Sequence, residues 1–136
     1  MKRSFFDTSI FIYALENNSI TARNLFQQSL DEGILGTSTI TIMEYATGCF
    51  KYGKIERLNN FKNFLRTLMF EVVPVNDEVA IKAAEIRSNY PFFKQMDALQ
   101  LATACISGAN VFYTSDKQLL QFEELAIIRP ILVPNG

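Results

Sequence analysis

The sequence predicts an α/β fold: a mainly parallel sheet with helices on both faces, in one compact domain spanning residues 1–136. Three observations lead there. Short runs rich in Phe, Val, Ile and Tyr alternate along the chain with longer runs whose apolar residues recur at three- and four-residue spacing. No internal repeat, low-complexity tract or linker interrupts that alternation. With 49% hydrophobic and 20% charged residues over 136 positions, the chain has enough apolar material for a real core.

Each element follows in order. Residues 3–6 (RSFF) predict a short first strand, and TSIFIYALEN after Asp7 predicts a helix. Ser19 is a good N-cap for the next helix, where Ala22, Leu25, Phe26 and Leu30 recur at helical spacing and Gly33 can close it. Residues 34–38 (ILGTS) read as a strand. Residues 40–50 return to a helical pattern with Met43, Ala46 and Phe50 on one face. Ile55, Leu58, Phe61, Leu65, Leu68 and Met69 mark a longer amphipathic helix.

Residues 71–75 (EVVPV) predict a strand near a sheet edge, since Pro74 cannot donate to a ladder. Asp77 is expected to cap a helix carrying Val79, Ala83 and Ile86. Residues 88–96 read as irregular around Pro91. A helix headed by Asp97 follows, then a strand over 110–115 (NVFYTS), a short helix (KQLLQF) after Asp116, and a last strand over 126–133 whose Pro130 makes it an edge or bulged strand.

This topology has a chemical consequence. Parallel strands joined by crossover helices put every helix start at the edge where the strands end, and ligands of such folds bind along that edge. Asp7 follows the first strand, Glu44 lies near the start of the helix after the second, and Asp116 follows the strand over 110–115. Asp97 reaches the same edge too. A helix over 77–88 descends about 18 Å at 1.5 Å per residue, and residues 88–96 can climb that far at up to roughly 3.3 Å each. Four carboxylates scattered over more than a hundred residues can therefore converge.

Such convergence carries a cost. Two unit charges 4 Å apart repel by about 1 kcal/mol in water and about 4 at an effective dielectric of 20. Helix N-termini offset part of this, and a divalent cation offsets far more. Hard cations such as Mg²⁺ and Mn²⁺ take oxygen ligands, and can activate water and stabilise charge on a phosphodiester. A plainer reading stands beside this one. Asp7, Asp97 and Asp116 each fit an ordinary N-cap, and Thr41 with Glu44 fits a capping box.

Composition narrows the choice. Net charge is −1, which gives nucleic-acid binding no support by itself. Histidine is absent, which excludes a histidine base and any zinc site that relies on imidazole. Cys49 and Cys105 sit among apolar neighbours and read as two buried thiols in a reducing compartment. The N-terminal apolar run is interrupted by Asp7, is too short to span a membrane and lacks a small-x-small cleavage pattern. The expectation is a soluble, cytoplasmic protein.

Four stretches, FFDTSIFIYAL, STITIMEYATG, KQMDALQLATA and VFYTSDKQLLQF, resemble in order the four motifs of the PIN domain family. The resemblance runs from residue 3 to about 133. It implies an α/β/α sandwich and a metal-dependent ribonuclease whose acids hold Mg²⁺ or Mn²⁺ at the C-terminal edge of the sheet. On the matching positions, Asp7 and Asp97 are the principal ligands, Glu44 acts directly or through water, and Asp116 is the more variable fourth acid. The hydroxyls of Thr8, Thr114 and Ser115 stand beside motif acids and are placed to orient them or a water. Many relatives carry an asparagine where this chain has Ser115. The chain looks most like the VapC-type toxins of type II toxin–antitoxin pairs, which implies an RNA substrate, a small antitoxin that blocks the site, and a homodimer. A free-standing PIN nuclease with a housekeeping role shares these motifs; a non-catalytic PIN-like binding module is a further alternative, which the loss of a motif acid would support, and all four acids are present here.

Other carboxylate-bearing α/β folds match less well. Dehalogenase-type phosphatases need a second aspartate two residues after the first, where this chain has Ser9. Response-regulator receivers place paired acids after strand one, where this chain has Asp7 followed by Thr8. Residues 51–66 carry an excess of four positive charges, which suits either a phosphate track or a solvated helix face. Lys94, three residues before Asp97, is the better single candidate for a contact with RNA phosphate. Ile12, Leu15, Phe61 and Phe64 read mainly as core, with a partner surface as the alternative.

Overall fold

The two consecutive phenylalanines of the first strand show how the layers are built. Phe5 and Phe6 lie in β1 (Lys2–Phe6), where successive side chains point to opposite faces. Both are fully buried, and each belongs to a different core. A strand buried on both faces reads as a continuous apolar run rather than an alternating one. The structure, a computed structural model, describes residues 1–134.

After β1 come α1 (Thr8–Leu15), α2 (Ile20–Glu32), β2 (Gly33–Ser38), α3 (Thr39–Lys51) and α4 (Ile55–Thr67). Then follow β3 (Glu71–Val73), α5 (Asp77–Asn89), α6 (Gln95–Ile106), β4 (Val111–Tyr113), a 3₁₀ turn (Lys117–Gln121) and β5 (Ala126–Ile128). The sheet order is β3-β2-β1-β4-β5, and every pair is parallel. β1 is central, and β3 and β5 are the edges, as Pro74 and Pro130 predict.

The result is a three-layer α/β/α sandwich. On one face Phe6, Leu35, Val111 and Tyr113 meet Ile10 and Phe11 of α1, Phe26 of α2, Tyr45 and Cys49 of α3, and Phe61 of α4. This core is dense in aromatic rings: Phe11 packs edge-on against Phe61, and Tyr45 stacks on Phe61 at 4.2 Å. On the other face Phe5 and Phe112 meet Val79, Ala83 and Ile86 of α5 and Ala98, Leu101 and Ala102 of α6. The small residues of α6 let that helix lie close to the sheet and bring its first turn to the rim.

Gly33 begins β2 directly at the end of α2 and pairs in register with Lys2. A Cβ at this position would stand 1.9 Å from the Lys2 carbonyl oxygen, so close strand approach requires the glycine.

The described elements revise several expectations. The strand over 71–75 stops at Val73, the strand over 110–115 covers only Val111–Tyr113, and the last strand stops at Ile128 rather than 133. Past Ile128 the chain leaves the ladder. Arg129 Nε bonds to Ser115, and the Val133 amide donates to Thr21 Oγ1 at 3.0 Å. Asn76, not Asp77, caps α5, with its side chain accepting from Val79 N at 3.0 Å. Both cysteines are free thiols, but only Cys49 is fully buried; Cys105 is half-buried. Among the described residues no helix is long and apolar enough to cross a membrane.

Candidate active site

Asp7 is the first residue beyond β1, and its amide continues the ladder by donating to the Tyr113 carbonyl at 3.1 Å. Glu44 lies in the second turn of α3, Asp97 in the first turn of α6, and Asp116 just before the 3₁₀ turn. Asp7, Glu44 and Asp97 line one cleft of about 290 Å³, together with Thr8, Ser9 and Gln100. Ile12, Met96 and Leu119 form its apolar walls. Asp116 does not line this cleft, although its charge acts on Asp97. Three of the four expected acids thus share a cavity, and the fourth stands within electrostatic reach.

The capping alternative holds for two acids and fails for two. Asp7 caps α1, with Oδ1 accepting from Ser9 N at 3.0 Å, and Asp116 Oδ1 accepts from Gln118 N at 2.9 Å. Asp97 is not a cap. The helix starts two residues earlier, and Lys94 occupies the cap position without a side-chain bond. Nor does Glu44 form a capping box with Thr41. Ser38 caps α3, accepting from Ile40 N and Thr41 N, while the side chain of Glu44 turns to α1. Neither Asp97 nor Glu44 is therefore the N-cap of its helix: Asp97, the third residue of α6, faces the Lys94 amide at the helix start as well as the cleft, and only Glu44, turned to Thr8 of α1, is a carboxylate that local helix geometry does not account for.

Hydroxyl groups hold the acids in place. Thr114 Oγ1 donates to Asp7 Oδ2 and accepts from the Asp116 amide at 3.0 Å. Ser9 Oγ donates to Asp7 Oδ1 and accepts from the Ser115 amide at 3.1 Å. Thr8 Oγ1 donates to Glu44 Oε1 at 2.5 Å. Thr8 and Thr114 thus each bond one of the four acids. Ser115 takes part through its backbone, and Ser9 is a member that sequence reasoning missed. Its signal was its place two residues beyond a capping aspartate.

A buried polar chain lies beneath the cleft and was also missed. Ser38 Oγ donates to Gln100 Oε1 at 2.6 Å, and Gln100 Nε2 donates to Thr41 Oγ1 at 2.9 Å. Thr41 lies 3.4 Å from Thr8 Oγ1, which leads on to Glu44. Ser38, Thr41 and Gln100 are all buried. The chain fixes α6, which carries Asp97, against α3 and α1. The visible signal was a glutamine inside the otherwise apolar run from Ala98 to Ala102.

Electrostatics reflect the crowding. Burial pushes the Asp7 carboxyl up to about 6, against the pull of the Ser9 and Thr114 hydroxyls, and Glu44 adds to the rise. Burial likewise raises Asp97; the charges of Asp116 and Glu44 act the same way, and the Lys94 ammonium opposes them. Of the basic stretch over 51–66, Arg57 is committed to an ion pair with Glu16, which also accepts from Tyr45.

Among the described residues, no three Asp, Glu, Cys or His side chains stand close enough together to enclose a metal ion. The donor set nevertheless fits a hard divalent cation. It consists of carboxylate oxygens with no thiolate or imidazole at the cleft. Mg²⁺ in particular keeps several waters and needs only one or two carboxylates.

A model of the PIN domain matches residues 4–126, a span that contains all four acids. No curated protein sequence matches the chain. Among solved structures, VapBC2 from Rickettsia felis, bound to a DNA fragment from its promoter, superposes with a TM-score of 0.82 at 17% identity, covering 93% of this chain and 97% of that one. A toxin–antitoxin complex from Klebsiella pneumoniae gives 0.73 at 25% identity, covering 94% and 98%. VapC20 from Mycobacterium tuberculosis, a sarcin–ricin loop cleaving toxin, gives 0.68 at 19% identity, covering 93% and 99%. These structures share the five-stranded parallel α/β fold described above. With a family match across most of its length, this chain belongs to the PIN domain family.

Proposed function

We propose that this protein is a metal-dependent endoribonuclease and the toxin of a type II toxin–antitoxin pair. In this reading residues 1–136 form one nuclease domain that works in the cytoplasm as a homodimer. A small antitoxin protein restrains it. The observation that carries the proposal is the gathering of Asp7, Glu44 and Asp97 in a single cleft, with the charge of Asp116 acting on Asp97. Support for the substrate and the partner comes from the structural neighbours, which include toxin–antitoxin complexes and a sarcin–ricin loop cleaving toxin.

Asp7 and Asp97 would hold a Mg²⁺ or Mn²⁺ ion, with Glu44 and Asp116 beside them. Such an ion supplies positive charge that stabilises the attacked phosphoryl group and makes an attacking water more acidic. The chain's own contribution is positioning. Ser9 and Thr114 fix both oxygens of Asp7, so that carboxylate presents a defined edge to the cleft. Thr8 aims Glu44 from the side, and Gln100 anchors the helix that carries Asp97. Ile12, Met96 and Leu119 give the cleft apolar walls beside the acids. Lys94, whose charge acts on Asp97, would meet a phosphate of the RNA.

The test is cleavage of total RNA by the purified chain. We expect cuts that require Mg²⁺ or Mn²⁺, stop with a chelator and disappear in Asp97→Asn, with circular dichroism confirming the fold. Equal cleavage by Asp97→Asn and the parent overturns the assignment. Growth arrest on expression, relieved by a small protein encoded next to the gene, separates a toxin from a housekeeping nuclease.

A further inference from the structure

We propose that the cavity between Tyr13 and Arg129 is a second element of the substrate site, a pocket for one nucleotide of single-stranded RNA next to the bond that is cut. The proposal rests on the ribonuclease reading above and adds a location for the RNA that the four acids do not specify. The cavity measures about 340 Å³ and is lined by Tyr13, Ser115, Arg129, Pro130, Ile131 and Leu132.

Its position follows from one shared loop. Thr114 and Asp116 act on the acidic cleft from beside it: Thr114 donates to Asp7, and the charge of Asp116 acts on Asp97. Ser115 stands between them, lines the second cavity and bonds to Ser9 of the first. Its amide donates to Ser9 Oγ at 3.1 Å, and its carbonyl accepts from Arg129 Nε at 2.9 Å. On α1, Tyr13 lies four residues beyond Ser9, so it occupies the same helix face one turn further on, about 6 Å along the axis. The cavity is therefore tied to the acidic site through Ser115 and through one turn of α1.

Its chemistry suits a nucleotide. Tyr13, half-buried against the first core, is the aromatic residue of the lining, and Pro130, Ile131 and Leu132 supply apolar surface around it. An aromatic ring can stack a base whatever its identity. Arg129 supplies charge. The bond from Nε to Ser115 fixes the guanidinium and leaves its two terminal nitrogens as donors, a fork that matches phosphate oxygens. Arg129 is exposed and makes no ion pair among the described residues. An acidic cleft repels a polyanion, and in a chain of net charge −1 the cations that hold RNA must be local.

The experiment uses a short fluorescent oligoribonucleotide spanning a cut site mapped in the total-RNA assay. Steady-state cleavage by the full chain is compared for the parent, Arg129→Ala, Arg129→Lys and Tyr13→Leu, with thermal melts confirming that each variant is folded. Loss of a stacked base or a phosphate contact is expected to raise KM about fivefold or more in Arg129→Ala and Tyr13→Leu, with kcat near the parent value. Arg129→Lys, which keeps the charge but loses the fork, falls between. A 4-thiouridine placed next to the cut is expected to cross-link to Tyr13. If Tyr13→Leu does not fold, the Arg129 pair and the cross-link decide. Unchanged KM in the Arg129→Ala variant, or a loss confined to kcat, overturns the pocket while leaving the ribonuclease reading intact. No cleavage by the parent overturns both.

Discussion

Ser38 Oγ donates to Gln100 Oε1 at 2.6 Å in the buried layer beneath the acids, joining the residue that caps α3 to the helix that carries Asp97. The other end of the same amide reaches Thr41. Gln100→Leu keeps the side chain's approximate size but strands both hydroxyls without that partner. We expect a loss of about 2 kcal/mol in unfolding free energy, read from urea denaturation. Cleavage should fall as well, because α6 loses its tie to α3. An unchanged denaturation midpoint would show that the bond does not hold the helices together.

Asp7 carries a stability cost that depends on pH. In the folded chain burial raises its carboxyl to about 6 from an ordinary 3.8, so the folded state binds the proton more tightly than the unfolded one. The cost of this acid is absent below the unfolded value and grows as pH rises through the folded value. In metal-free buffer Asp7→Asn should therefore be more stable than the parent at neutral pH, by on the order of 2 kcal/mol. The gap should close as pH falls toward about 4. Melting curves across that range are the measurement, and a parent as stable as the variant at neutral pH refutes the account.

Metal binding should be visible without any substrate. A ligand that binds only the folded state stabilises it by mass action, by about 1.4 kcal/mol when free ligand is roughly ten times Kd. Adding Mn²⁺ to the chelator-treated chain should raise its melting temperature, and Asp97→Asn should lose most of that rise. An equal rise in both proteins would place the ion elsewhere.

Gly33→Ala tests the fold rather than the site. The added Cβ would meet the Lys2 carbonyl oxygen at 1.9 Å, a backbone atom that cannot move without breaking the β1–β2 register. The expected cost is about 3 kcal/mol, seen as a lower denaturation midpoint. The acids should keep their arrangement in whatever fraction remains folded.

The arrangement of elements was legible because it rests on short-range signals. Helical spacing from Ala22 to Leu30 and from Ile55 to Leu68, the doubly buried Phe5–Phe6 pair, and prolines at 74 and 130 all act within a few residues of one another. The positions of Asp7 and Asp116 at strand ends followed from the same signals, since a parallel sheet sends every strand end to one rim. Caps were less legible. Asn76 displaced Asp77 and Ser38 displaced Thr41, because neighbouring residues of similar capping ability differ only in backbone angles that the whole fold sets; α6 instead starts after Lys94, which makes no side-chain capping bond.

By itself, the order of residues determined the α/β class, the family motifs and the four acids worth examining. Tertiary structure alone decided which hydroxyl holds which carboxylate: Thr114 reaches Asp7 across 107 residues, and Thr8 reaches Glu44 across 36. It also decided that Asp116 stands outside the cleft shared by the other three, and that Ser115 joins that cleft to the cavity at Arg129. The reason is range. Helix and strand patterns are written by neighbours along the chain, whereas a side chain's partner at the rim depends on how two faces of a sheet pack, and no local window contains that information.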